Sequence, residues 1–251
     1  MTTSARAPMD ATRKAALAAG LFYIATFVFS IPALGLYDGV LNDPRFVLGA
    51  GGDGGVLWGG LIEVLTGLAG IGTAVAVYPV IRRLAPARAV GFVASRTLEA
   101  AVIVVGVVAV LSVDTLRQGG GDPAALTTTS DAFVALKDWT FLVGPGVMPA
   151  VNALCFATVV RQHNLVARWI PTLGYLGGPL LLASSVGTLF GAWDQVSPVA
   201  MLMALPVGTW ELAVGITMAV KGFRPGAPTA DAASSDALGD ADGAPSLLAP
   251  A

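Results

Sequence analysis

Residues 89–113 read AVGFVASRTLEAAVIVVGVVAVLSV, and this stretch decides the fold. Arg96 and Glu99 are its only charges. A hydrocarbon core about 30 Å thick takes roughly 20 helical residues at ~1.5 Å of rise each, so the stretch is long enough to cross. Helix is the required conformation, because a backbone surrounded by lipid must satisfy its own polar groups within the segment. Arg82, Arg83 and Arg88 precede the stretch and Asp114 follows it. That asymmetry predicts a membrane span that enters from a basic side and leaves on an acidic one.

Working outward, five more stretches have the same character: 15–36 and 56–81 before it, and 139–160, 170–190 and 199–220 after it. The reading is an all-α polytopic membrane protein, a bundle of six transmembrane helices occupying residues 13–224. No short alternating strands of a β-barrel are present. Composition agrees. Of 251 residues, 55% are hydrophobic and 12% charged, against roughly 25% charged in a soluble domain. A soluble core of this chain length could not hide so much apolar surface. The net charge of −2 lacks the basic stripe that nucleic-acid binding needs. The first apolar run is too long for a cleavable signal peptide and lacks its cleavage site.

The connections fix an orientation. Arg6, Arg13, Lys14, Arg82, Arg83, Arg88, Arg161, Arg168, Lys221 and Arg224 fall on one side. The other side holds Arg45, Arg117 and Lys137 among eight aspartates. By the positive-inside rule the basic side is cytoplasmic, which puts both termini there in a cell (plasma) membrane. Residues 1–12 read as a cytoplasmic tail. Residues 225–251, composed of Ala, Asp, Ser, Gly and Pro, read as a disordered cytoplasmic tail. The Gly- and Asp-rich segment 38–55 reads as a flexible loop. Asp122-Pro123 reads as a helix start, and residues 130–136 as a short interfacial helix leading into Trp139.

Four ionisable residues sit inside the predicted spans: Glu63, Arg96, Glu99 and Glu211. Each is expensive in hydrocarbon, at least ~2.5 kcal/mol near the centre, so they are expected to face the interior and pair. Arg96 and Glu99 are three apart and share a helix face. By depth, Glu211 and Asn152 reach the same level, with Glu63 nearer the outer side. The candidate polar cluster is therefore Glu63, Arg96, Glu99, Asn152 and Glu211, with Asp138 and Trp139 as outer-mouth candidates. Three acids against one base favour a protonatable or cation-binding site. The other reading is a structural network that fixes helix register.

Gly144-Pro145-Gly146 with Pro149 predicts a kink or unwinding in the fourth span, and Gly174, Gly177, Gly178 and Pro179 predict one in the fifth. The alternative for the glycines is close helix packing. Much chemistry has no carrier. His163 is the only histidine and Cys155 the only cysteine, so bis-histidine haem ligation, an intramembrane zinc site and a serine–histidine pair are not expected. No lysine falls inside a predicted span. No cofactor, metal or catalytic residue is assigned. The partners expected are the lipid bilayer and a small ion or small-molecule ligand.

Arg13-Lys14-Ala15, Leu61-Ile62-Glu63 and Arg96-Thr97-Leu98-Glu99-Ala100 occur in that order in the first three spans. Asp138-Trp139, Gly144-Pro145-Gly146 and Asn152-Ala153 follow in the fourth, and Trp169-Ile170-Pro171 with Gly174, Gly178 and Pro179 in the fifth. Trp210-Glu211-Leu212 and Val220-Lys221-Gly222-Phe223 close the series. Together, from Arg13 to Phe223, they resemble the bacterial membrane proteins of the domain-of-unknown-function 4386 family. Trp210 stands where a smaller aromatic is expected. The resemblance implies a six-helix membrane fold and no established activity. It also implies that Glu63, Arg96, Glu99, Asp138, Asn152 and Glu211 belong to a shared pattern. Three functions compete on this reading. They are a small transporter or proton- or ion-coupled protein, a structural, sensory or partner-binding protein, and a membrane enzyme without a recognisable set of catalytic partners.

Overall fold

A computed structural model describes residues 9–224. The tail expected at 225–251 and most of the one expected at 1–12 lie outside the described residues. Every regular element within them is helical. The elements are α1 (Ala11–Leu36), α2 (Asp38–Asn42), α3 (Gly54–Leu84), α4 (Pro86–Gly119), α5 (Pro123–Phe141), α6 (Met148–Gln162), α7 (Trp169–Leu189) and α8 (Pro198–Val220), with a 3-10 turn at Phe46–Leu48. A π-helical turn at Leu142–Val147 joins α5 to α6, so residues 123–162 form one continuous helical run.

Local chemistry sets the helix starts. Asp10, Asp53, Asp122 and Ser197 each accept a hydrogen bond from a backbone N–H in the first turn of α1, α3, α5 and α8. Such caps satisfy donors that a helix otherwise leaves open. Proline stands in the first turn of α4, α5 and α8, where its missing N–H costs nothing.

Among the described residues, α1, α3, α4, the 123–162 run and α8 are long and apolar enough to cross a membrane. The chain is a multi-pass membrane protein. The fifth expected span corresponds to α7, which has 21 residues. Its glycines, prolines, serines and threonines dilute its apolar content, and it falls short of that standard. Leu21, Val28, Leu57, Leu68, Val75, Val108 and Leu202 all point outward. The outer surface is thus as apolar as lipid contact requires.

The long helices close into a ring. α1 packs on α3, α3 on α4, α4 on α5 and α6, α6 on α7, α7 on α8, and α8 back on α1. The last contact brings two backbones together. A Cβ on Gly215 would sit 2.7 Å from Tyr23 Cβ, and one on Gly20 would sit 2.6 Å from the Gly215 carbonyl oxygen. Only glycine admits this approach. Arg13 fastens the same joint, donating to the carbonyls of Met218 (3.1 Å), Ala219 (2.7 Å) and Val220 (3.1 Å) at the end of α8.

The two ends of the bundle are named here by what they carry. The termini face holds the start of α1 and the end of α8; the loop face holds the α1–α3 and α4–α5 connections. In the half nearer the termini, Phe92 stacks on Phe156 at 5.0 Å, and Tyr23 and Trp210 flank Phe156 at 6.4 and 6.0 Å. All four are buried and form an aromatic layer that fills the ring.

The connection expected to be a flexible loop is built instead. Val40, Phe46 and Val47 are buried against Tyr37, Val56, Val110 and Val113. Arg117 donates to the Phe46 carbonyl (2.6 Å) and the Gly51 carbonyl (3.1 Å), and its guanidinium lies 4.4 Å from the centre of the Phe46 ring. Asp114 accepts from the Asp53 N–H at 2.7 Å. The Gly and Asp content was read as flexibility, but apolar residues interleaved with it supply a small core. Residues 130–136, read as a separate short helix, are the middle of α5.

Candidate functional site

Above the aromatic layer the ring is not filled. A cavity of about 290 Å³ lies there, walled by one face of each of three long helices. α1 contributes Thr26, Phe27, Ser30, Ile31 and Leu34; α3 contributes Glu63, Thr66, Gly67 and Gly70; α8 contributes Ala204, Val207, Gly208 and Glu211. Each set recurs at helical spacing, so each is a single stripe turned inward. α4 supplies the floor with Arg96, Glu99, Ala100 and Ile103, and Phe141, Pro145, Pro149 and Leu181 complete the far wall.

Arg96 organises the floor. It is 3% exposed, and its two terminal nitrogens take different carboxylates: Nη1 donates to Glu99 Oε2 at 3.0 Å, and Nη2 donates to Glu211 Oε1. Its guanidinium lies 5.1 Å from the centre of the Tyr23 ring and 5.8 Å from that of Phe92, within the range where an aromatic face attracts a cation. Arg96 Nε is buried and has no hydrogen-bond partner in the protein. Glu99 Oε2 also accepts from Asn152 Nδ2 at 2.7 Å, and Asn152 Oδ1 accepts from Ser95 Oγ at 2.5 Å. The result is a chain of polar groups, Ser95–Asn152–Glu99–Arg96–Glu211, contributed by α4, α6 and α8.

The cluster expected from sequence separates into two charged groups that hold three ion pairs between them. Arg96, Glu99, Asn152 and Glu211 are in mutual contact as described. Glu63 pairs with Lys137, whose Nζ donates to both carboxylate oxygens at 2.7 and 2.6 Å. Lys137 is 5% exposed and lies 4.9 Å from the centre of the Tyr37 ring. Lys137 was read as a loop residue because it stands just outside an apolar stretch. The helix that carries it starts at Pro123, and the turn of α5 that holds Lys137 faces α3 and α4. The charge count therefore changes from three acids and one base to three acids and two bases.

The outer-mouth candidates are placed elsewhere. Asp138 and Trp139 are exposed and do not line the cavity. They flank Lys137 on the helix, and when Lys137 points inward its next two neighbours turn away. Ser95 was missed, although its spacing of four from Glu99 puts both on one face of α4. Among the described residues, no group of three or more His, Cys, Asp or Glu side chains is placed to hold a metal ion.

The broken fourth helix takes an unexpected form. The run containing Pro145 stays helical by widening to a π turn, which absorbs the hydrogen bond that proline removes. Ser185 of α7 donates to the Gly146 carbonyl at 2.7 Å and holds that turn from outside. α7 itself is a continuous α-helix across Gly174–Pro179. Its glycines serve packing: a Cβ on Gly174 would sit 2.8 Å from Ala157 Cβ, and one on Gly177 would sit 2.7 Å from Val207 Cα.

These features extend over residues that a family signature also covers. The family described as a domain of unknown function, DUF4386, matches residues 18–222. The chain belongs to the DUF4386 family. No curated protein and no solved structure matches it. The matched region of the DUF4386 domain contains the cavity and all three ion pairs. Membership carries no activity with it, so any function has to be argued from the geometry.

Proposed function

We propose that this DUF4386 protein is a small transporter or proton- or ion-coupled membrane protein that presents the Arg96–Glu99–Glu211 cluster to its cargo. The observation that carries this reading is that one cavity touches Glu63, Arg96, Glu99 and Glu211 together. A network serving only to lock helices gains nothing from an adjoining void, since a dry, filled interior would hold it better. The Glu63–Lys137 pair is closed on itself and serves as the structural lock. Arg96 faces two carboxylates, which leaves one negative charge on the floor for a proton or another cation to balance. The aromatic layer seals the cavity from the termini face, as one state of an alternating cycle requires.

The reading includes the expected placement: six spans with α7 among them, both termini cytoplasmic, in the plasma membrane, with the bilayer and a small ion or molecule as partners. The basic residues gathered at the termini face support it. The test is charge movement in proteoliposomes under imposed proton, sodium or potassium gradients. Wild-type protein is expected to give a current that Glu211→Gln abolishes. A folded wild-type protein that carries no more charge than empty vesicles under all three gradients would overturn the reading.

A further inference from the structure

The cavity has walls, a floor and a side entrance, and together they define a ligand class. α1 and α8 touch backbone to backbone at Gly20 and Gly215. Toward the loop face they part. Gly208 lies seven residues before Gly215, ~10 Å along the helix, and a Cβ built there meets nothing within 4 Å. Ile31 and Leu34 line the cavity and are 66% and 55% exposed. The cavity therefore opens between α1 and α8, in the half of the bundle nearer the loop face. The lining residues at this gap that also reach the surface, Ile31, Leu34 and Ala204, are apolar.

The floor selects by charge. Arg96 has both terminal nitrogens committed to Glu99 and Glu211. Two carboxylates around one guanidinium leave a surplus of one negative charge. Glu63 adds none, because Lys137 neutralises it. Of the three hydroxyls on the wall, Thr26 gives its proton to the Tyr23 carbonyl at 2.7 Å and Thr66 to the Ile62 carbonyl at 2.9 Å, and Ser30 is the third. Thr26 and Thr66 have no proton left to offer a ligand. An anionic group would meet two carboxylates before it reached Arg96. A cationic group finds acceptors, and an apolar body finds Phe27, Ile103 and Phe141.

We infer that the cavity binds a lipophilic monovalent amine, which enters from the bilayer between α1 and α8 and sets its ammonium against Glu211. This rests on the transport reading and names its cargo class.

The test is saturable binding of labelled 2-phenylethylamine to the protein in nanodiscs, with empty nanodiscs as background and 2-phenylethanol and phenylacetate as uncharged and anionic counterparts. The amine is expected to bind saturably and the other two not. Glu211→Gln is expected to weaken binding by about tenfold or more, the loss that follows from removing a charged hydrogen-bond partner. Gly208→Phe is expected to slow association by a similar factor. It keeps the charges and enters open space, so it reads the entrance even where Glu211→Gln fails to fold. Val108→Phe, on the lipid-facing side of α4, is expected to change nothing. Equal binding of the alcohol or the acid overturns the inference, as does amine binding that neither Glu211→Gln nor Gly208→Phe alters. The two readings fail separately. Glu211-dependent current without saturable amine binding overturns the cargo class alone. Amine binding without any current, the amine gradient included, overturns transport and leaves the binding site standing.

Discussion

Lys137 sits on the inward face of α5. Its ammonium is buried and grips Glu63 with no exposed partner in reserve. Removing either member strands a charge in the interior, which costs about 3–5 kcal/mol, whereas replacing both with neutral groups of similar size is close to neutral. Glu63→Gln and Lys137→Met are each expected to lower the thermal midpoint of the purified protein sharply, and the double variant to recover most of the loss. Unfolding curves assembled into a double-mutant cycle measure the coupling. Two small, additive shifts would show that the pair does not lock α5 to α3. Arg96 and Glu99 were legible as a couple from their spacing, and Asn152 and Glu211 from their depth. Lys137 was not, because charge patterning assigns a basic residue beside an apolar stretch to the loop. Ser95 was hidden by its chemistry: serine is common in membrane helices, and nothing in its surroundings marks it until Asn152 is seen against it.

At the scale of elements, apolar length located the long helices, but their starts depended on polar residues that such length does not count. α5 begins at Pro123 because Asp122 caps it, and its Thr127, Thr128 and Thr129 each return a hydrogen bond to the helix backbone. The glycines of α7 were ambiguous for a physical reason. A glycine that permits a kink and one that permits a close neighbour look alike until the neighbour is known. The π turn is a third outcome that proline and glycine content alone does not single out. It rests on Ser185 from the next helix, so its stability is partly tertiary. Ser185→Ala is expected to leave the fold intact and to speed hydrogen exchange of the Val147, Met148 and Ala150 amides roughly fivefold, the effect of losing about 1 kcal/mol at a local opening. Unchanged exchange there would mean that the turn holds itself.

For the molecule as a whole, the ring of neighbours follows chain order, which is why a count of spans went far toward the architecture without any knowledge of packing. The cavity was beyond reach, since a void is a property of faces that fail to meet. Sidedness can be checked directly. In a Cys155→Ser background, an impermeant maleimide added to intact cells is expected to label Asp122→Cys and to spare His163→Cys until the cells are opened. The reverse pattern would invert the proposed orientation. The clasp between Arg13 and the end of α8 also bears on how the molecule is made. Its partners are 205 to 207 residues apart in the chain. While a ribosome is still adding the intervening helices, α1 has already entered the bilayer with the glycine face for its last neighbour bare and its guanidinium unclaimed. The ring is therefore shut only once α8 has been made, and any nascent chain stalled before α8 would leave in the membrane an open arc whose newest edge is α7.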